Sequence, residues 1–355
     1  MKPIINTNYI KKLLFFSILL SFPIVLSQEK ETETKKFTLS GSIDAYYRAN
    51  LNANNSFDEA SGLPNAAPGS SFANLPGFAL GMANLIGSYE GEKVGFVADL
   101  VFGPRGSDAI FNSPLYSATG NIVNQLYAYW NVHESIKLTF GNFNTFLGYE
   151  VISPVGNFNY STSYLFSYGP FSHTGIKMDI ALTDKLSLML AAMNPTDQTE
   201  LNPTGKYAFG AQLGYNGQYL NLLTDDGGVE IDFTGGVDLT DKFYLGINAA
   251  YYDNEDLGFS GVALYPQYLV SEYFNLGLRA EYFMETGNFG AIGTSEEDSD
   301  LFAITLTGST TIGGLTIKPE LRLDSASDPS LNFLDKNLLP QKSLSSFVLA
   351  AIYAF

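Results

Sequence analysis

Histidine, cysteine, serine and carboxylate positions decide what chemistry this chain of 355 residues can perform, and here they offer little. Two histidines are present, His133 and His173, and no cysteine. His133 lies in a stretch, His133-Glu134-Ser135, that reads as a solvated tight turn. His173 begins a strand directly after Ser172, which puts a nucleophile beside a base in sequence. A Ser/His/acid set needs those groups within hydrogen-bond reach and a third group to orient the base. Neighbours along a strand point to opposite faces, so this pair cannot meet. The missing cysteines exclude a disulfide framework, a thiolate nucleophile and thiolate metal sites. The acidic run Ser295-Glu296-Glu297-Asp298-Ser299-Asp300 reads as a solvated loop. Asp225-Asp226-Gly227-Gly228 reads as a turn, without the regular ligand spacing of a calcium loop. No catalytic, metal or cofactor site is expected, and no enzymatic role.

Charges placed at alternate positions of short apolar segments are the other candidates. They are Asp44, Arg48, Asp99, Lys137, Lys177, Asp179, Glu230, Asp232, Asp238, Arg279, Glu281, Lys318, Glu320, Arg322 and Asp324. Nine are acidic and six basic. Such charges can favour polar solutes in a pore, with an excess of acid leaning towards cations. They can equally pair across strands and satisfy one another.

The elements that must position these residues are strands. In the first, Phe37, Leu39, Gly41, Ile43, Ala45 and Tyr47 share one face, and Thr38, Ser40, Ser42, Asp44, Tyr46 and Arg48 share the other. One face suits lipid and the other a wet lumen. The pattern recurs near 78–90, 94–103, 121–132, 136–143, 174–182, 186–193, 207–215, 218–224, 229–239, 243–252, 259–269, 274–283, 301–310, 315–324 and 344–355. Tight turns such as Thr183-Asp184-Lys185, Asn216-Gly217 and Gly313-Gly314 join the pairs at one end. Long connections near 49–76, 104–120, 144–172, 284–299 and 325–342 fill the other. About sixteen alternating segments, short turns and long loops predict an all-β fold, a transmembrane antiparallel β-barrel spanning 37–355. Closure pairs every backbone N–H and C=O, which is what lets a sheet live in lipid. Phe37, Tyr47, Tyr89, Phe102, Phe243 and Tyr251 fall at strand ends, where interfacial girdles form.

Composition agrees. Phe (27), Tyr (22) and Gly (34) are abundant, yet amphipathic helical stretches are hard to find. At the start, Lys2, Lys11 and Lys12 precede the apolar run Leu13–Leu20, and the sequence turns polar at Gln28-Glu29-Lys30. Residues 1–27 therefore read as a signal peptide cleaved after Ser27, followed by a short polar segment, 28–36. Its three lysines removed, the mature chain holds 16 basic residues against 36 acidic, which excludes nucleic acid as a partner. The expected location is a bacterial outer membrane, with lipid and small polar solutes or ions as partners. The last strand alternates Phe347, Leu349, Ala351, Tyr353 and Phe355 outward, and the terminal aromatic resembles the signal read by barrel-insertion machinery. A homo-oligomer is compatible with this pattern, although alternating lipid-facing aromatics single out no interface.

Gly141 to Gly175 is the most informative stretch. It runs Gly141-Asn142-Phe143-Asn144-Thr145-Phe146-Leu147-Gly148-Tyr149-Glu150, then Asn157-Phe158-Asn159-Tyr160-Ser161, then Gly169-Pro170-Phe171-Ser172-His173-Thr174-Gly175. A long loop rich in glycine, aromatic and amide groups tends to be functional. Folded inward near 144–172 it narrows a pore; folded outward it packs over the mouth. These motifs, with Leu278-Arg279-Ala280-Glu281-Tyr282-Phe283, resemble the putative β-barrel porin-2 family, the OmpL-like porins of Bacteroidetes. The family's usual basic residue after the first glycine is Asn142 here. The resemblance covers essentially the mature chain and implies an outer-membrane pore of undefined substrate.

The combined expectation is a porin-like channel for passive diffusion of small polar solutes or ions, with a mild cation preference. Its pore or constriction residues would be Tyr149, Glu150, Asn157, Asn159, Tyr160, His173, Lys137, Lys177, Asp179, Arg279, Glu281, Glu320 and Arg322. The alternative is a non-conducting barrel, plugged and acting as an adhesin or surface-binding scaffold. Residues 28–36 are too short and polar for the N-terminal plug that a transporter of hydrophobic solutes would want.

Overall fold

The computed structural model describes residues 36–110 and 122–355. The expected signal peptide and nearly all of the polar segment after it lie outside the described residues. Sixteen strands follow one another as β1 (Lys36–Asn50), β2 (Gly77–Glu90), β3 (Val94–Phe102), β4 (Val123–His133), β5 (Ile136–Asn144), β6 (Ser172–Ala181), β7 (Leu186–Met193) and β8 (Ala208–Tyr215). The second half holds β9 (Gln218–Asp225), β10 (Gly228–Thr240), β11 (Phe243–Asn254), β12 (Leu257–Leu269), β13 (Phe274–Thr286), β14 (Asp300–Ile312), β15 (Leu315–Leu334) and β16 (Pro340–Ala354). Each strand pairs antiparallel with its neighbours in sequence, and β1 pairs with β16 to close the barrel. Among the described residues two short helices lie in the loops, α1 (Pro104–Ala109) and α2 (Tyr164–Tyr168). No described helix is long and apolar enough to cross a membrane.

The period-two reading of β1 holds. Phe37, Leu39 and Ile43 are exposed on the outer wall, while Ser42, Asp44, Tyr46 and Arg48 are buried on the inner one. The same split separates Phe96 and Phe102 from Val97 and Asp99 in β3. Asn216-Gly217 and Asp226-Gly227 both take left-handed backbone, with φ of 52° and 82° in the first pair and 34° and 93° in the second. That geometry matches strand twist in a two-residue hairpin, and glycine at the second position adopts it without a steric penalty.

Closure leans on one close approach. The backbone N and O of Phe355 bond to Gly41 at 3.0 and 3.1 Å, and the Phe355 ring lies over it. A Cβ on Gly41 would sit 2.8 Å from Phe355 Cζ and 2.4 Å from the carbonyl oxygen of Asn84.

The expected loop at 325–342 is instead largely strand. β15 runs to Leu334 and β16 begins at Pro340, so this hairpin stands well beyond its neighbours and turns only at 335–339. Asp328-Pro329 reads as a loop because proline cannot donate to a ladder. The strand tolerates it at a register irregularity between Ser325 and Ser330. The extension earns its order from loops packed against it. Ala66 bridges to Phe333, and Ser330 Oγ donates to the Ile292 carbonyl at 2.7 Å.

A wall of sixteen strands is too wide for its own side chains to fill. The apolar core therefore lies inside the barrel, where Tyr164 and Leu165 of the third outer loop meet Phe259, Phe283, Ile292, Leu301 and Phe333.

Candidate functional site in the lumen

Residues 145–171, between β5 and β6, run along the inner face of the wall. Their path is fixed first by shape. Phe146 lies against Gly210, Tyr149 against Gly246 and Phe158 against Gly277, each on the inner wall. A Cβ at those glycines would come within 2.5, 2.4 and 2.3 Å of the respective side chains. Side-chain-free positions on the wall are thus the sockets for the rings of the loop. Tyr149 also stacks on Tyr265, with centroids 4.2 Å apart, and its hydroxyl donates to Tyr244 at 3.3 Å.

Charge then pins the backbone. Arg279 Nη1 lies 2.7 Å from Glu150 Oε1 and also donates to the Ser161 carbonyl at 2.6 Å. The other Glu150 oxygen accepts from Ser163 N at 2.7 Å. Glu281 accepts from the first two amides of α2, Tyr164 N at 3.0 Å and Leu165 N at 2.8 Å. Ser163 caps that helix, its hydroxyl accepting from Phe166 N at 3.0 Å. Glu320 accepts from Tyr160 N at 2.8 Å and Ser161 N at 3.2 Å. Asp232 accepts from Gly148 N at 3.0 Å and is held by the amides of Asn221 and Asn248. Basic residues serve the loop's carbonyls: Lys318 donates to Pro154 and Asn157, and Arg322 to Thr162. Hydrogen bonds to charged groups contribute roughly 1.5–3 kcal/mol each, so together they hold the loop firmly.

Most of the expected constriction residues therefore meet in one belt. Tyr149, Glu150, Asn157, Asn159 and Tyr160 come from the loop, and Arg279, Glu281, Glu320 and Arg322 from β13 and β15. Asn159 Nδ2 donates to Thr307 Oγ1 at 2.7 Å, the Tyr160 hydroxyl donates to Asp44, and Asn157 closes a turn onto Val151. Arg322 is locked to Asp324 by three contacts of 2.7–3.0 Å.

The remaining candidates stand apart. Lys177 and Asp179 form an ion pair at 3.2 Å on β6, and Lys137 on β5 lies 4.8 Å from the Tyr129 ring. His173 sits at the base of the loop, enclosed by Phe143 and Phe146, with Nε2 3.0 Å from Thr145 Oγ1. Lys177, four residues on along the same strand, is near it in charge, but the hydrogen-bond partner of His173 is Thr145. Asn142 is buried and donates to Thr174 Oγ1 at 3.0 Å.

Two participants, Arg105 and Asp197, escaped the sequence reading, and a third, Asp44, was read as lumenal without its partners. Arg105, in α1, reaches the Ile152 carbonyl at 2.8 Å and the Tyr160 carbonyl at 3.1 Å. Its signal was a lone arginine in Gly103-Pro104-Arg105-Gly106, within a loop otherwise poor in basic residues. Asp44 fills the space that Gly81 leaves open and accepts from Met82 N at 3.0 Å. Asp197, in the outer loop after β7, accepts from Phe171 N and Ser172 N at 2.8 Å each, where the third loop rejoins the wall. Burial pushes its carboxyl up from the ordinary 3.8 to about 6, against the opposing pull of those two amides.

Solved structures share this architecture. The outer-membrane channel DcaP of Acinetobacter baumannii matches with a TM-score of 0.57 at 12% identity, over 93% of this chain and all of that one. The anion-selective porin from Comamonas acidovorans matches with 0.56 at 15%, over 91% of this chain and all of that one. The trimer form of OmpT from Vibrio cholerae matches with 0.53 at 12%, over the same shares. At such identities the likeness is one of fold. No curated protein matches the sequence. The family profile described as putative beta-barrel porin-2, OmpL-like, matches residues 36–355, that is, the entire barrel. A closed barrel of sixteen strands, a third loop in its lumen and that match together place the chain in the OmpL-like porin-2 family, as a channel-type barrel of the outer membrane.

Proposed function

We propose that the protein passes small polar solutes or ions passively through a lumen narrowed by the third outer loop. The observation that carries this reading is the belt itself: a loop inside the wall, pinned by buried polar side chains in addition to its aromatic sockets. On the periplasmic side of the belt the wall presents half-buried Tyr127, Tyr129, Lys137, Asp179 and Tyr244, with Asp238 exposed at the rim. These are groups that tolerate water and a passing solute.

Nine acidic against six basic residues led to the expectation of a mild cation preference. That preference is not part of the proposal. Of the nine, Glu281, Glu320, Asp232 and Asp324 are taken up by loop amides or an arginine, so the count does not translate into a free field. Recognition of the last strand by insertion machinery through Phe355 does belong to the proposal. So does homo-oligomerisation. The wall is low from β7 to β9, eight residues each, where a spanning strand needs about 9–11, and a second copy would cover that side.

One observation favours the second reading, a non-conducting barrel. At the belt the lumen is packed: Arg279, Glu281, Asp324 and Thr305 are fully buried, and a cavity between Gly148 and Glu230 measures about 10 Å³, room for one water at most. Planar-bilayer conductance of the refolded barrel, under a salt gradient, separates the two. Stepwise currents support the channel, and silence from a folded barrel supports the plug.

A further inference from the structure

One buried carboxylate on the inner wall stands without a partner. Glu230, near the start of β10, is 5% exposed. Among the described residues it accepts no hydrogen bond and joins no ion pair. The charged groups within electrostatic reach of it are both acidic, Asp232 on the same face of β10 and Asp197. Asp197 is spent on the amides of Phe171 and Ser172. Buried charges are paired or coordinate a metal, and a carboxylate flanked by two more is costly unless a cation joins them.

The space in front of Glu230 is already shaped. Glu230 and Asp232 line one cavity of about 10 Å³ with Gly148, Gly169 and Pro170, room for a single water-sized occupant. Three oxygens surround the place that a Cβ on Gly169 would take: Leu165 O at 3.1 Å, Glu230 Oε1 at 3.6 Å and Phe166 O at 3.9 Å. Gly169 has φ of −77°, which any residue adopts, so what glycine provides there is room. The two carbonyls belong to the end of α2. Leu165 O accepts from Gly169 N at 3.1 Å and keeps a lone pair. Phe166 O would take the N–H of residue 170 if the helix went on, and Pro170 has none. Asp232 adds Oδ2, which among the described residues accepts only from Asn248.

We propose that Glu230, Asp232 and the carbonyls of Leu165 and Phe166 hold one calcium ion, which clips the third loop to β10. Every donor is oxygen, and the two carboxylates balance a double charge. Both oxygens of Glu230, one of Asp232, the two carbonyls and a single water reach the lower end of the roughly 6–8 oxygens that calcium takes in its flexible geometry. Magnesium demands a stricter octahedron and keeps several waters, for which this cavity has no room. The inference goes beyond the channel reading, because the ion fastens the loop rather than passing it.

The test is equilibrium dialysis against radioactive calcium, with the mature barrel refolded in neutral detergent and stripped with a chelator. The parent should take up one saturable ion above diffuse surface binding. Calcium chloride should also raise the thermal midpoint, read by heat-modifiable gel migration, above that in magnesium chloride at equal concentration. Glu230→Gln should abolish the saturable ion or weaken it at least tenfold, whereas Glu297→Gln, in the exposed acidic run, should leave it unchanged. Gly169→Ala places a methyl in the cavity without straining the backbone and should weaken binding several-fold; it decides the matter if Glu230→Gln fails to fold. No saturable ion, equal shifts with calcium and magnesium, or parental affinity in Glu230→Gln or Gly169→Ala would each overturn the assignment. Binding is measured directly, so a barrel that fails to conduct sinks the channel reading and leaves this one standing or falling on the dialysis.

Discussion

Glu150 and Arg279 are 129 residues apart in the chain and 2.7 Å apart in the lumen, and both side chains are buried. Glu150 belongs to the loop and Arg279 to the wall, so their contact is the charged link between a mobile type of element and a rigid one. Removing one member strands the other in a dry site, at a cost of roughly 3–5 kcal/mol. Arg279→Met and Glu150→Gln should each lower the denaturant midpoint of the barrel in lipid vesicles. The double variant should recover part of the loss, as expected for coupled neighbours. Fully additive losses would mean that the pair does not act as a unit.

The wall was legible in the sequence and the belt only partly so, for a physical reason. Alternation repeats over many segments, and one-residue slips invert every side chain, so strands such as β1 and β3 announce their faces. A loop has no period. Its aromatic and amide content marked residues 144–172 as functional, but no local signal tells which wall group each amide will meet. Glu281 and Glu320 were readable as lumenal, yet that they bind the amides of Tyr164 and Tyr160 depends on the loop's path. Arg105 was hidden in a connection without alternation, and β15 beyond Asp324 was hidden by Pro329.

The aromatic sockets can be tested without any current. A side chain at Gly277 would collide with the Phe158 ring, which lies 2.3 Å from an added Cβ. Gly277→Leu should therefore evict Phe158 while leaving the outer face of β13 unchanged. Chymotrypsin, which cuts after aromatic residues, should cleave the loop near Phe158 or Tyr160 in the folded variant at least several-fold faster than in the parent, because cleavage follows the open population. Equal rates would show that the socket does not hold the loop.

Asp197 confers a pH dependence whose sign follows from its raised pKa. Below about 4 the folded and unfolded chains both hold the proton, and the stabilisation is complete. Between about 4 and 6 the unfolded chain releases it first, so stability declines as pH rises through the folded value of about 6. The full span corresponds to at most about 3 kcal/mol. Asp197→Asn keeps an acceptor for Phe171 N and Ser172 N and removes the titration. Unfolding midpoints measured at pH 4 and pH 7 should differ less in the variant than in the parent. The same difference in both would assign the pH dependence to other groups.

The C-terminal residue separates closure from recognition. The contacts of Phe355 that close the barrel run through its backbone to Gly41, whereas its ring is 60% exposed on the outer wall. Phe355→Ala therefore leaves the ladder intact and removes little buried apolar surface, on the order of 1 kcal/mol. Refolding from urea into detergent should proceed with parental yield. Assembly in the outer membrane of expressing cells should fall several-fold if the ring is what insertion machinery reads. Equal losses in the test tube and in the cell would mean that the ring serves closure, by covering Gly41, and unchanged assembly in the cell would remove Phe355 from the insertion signal.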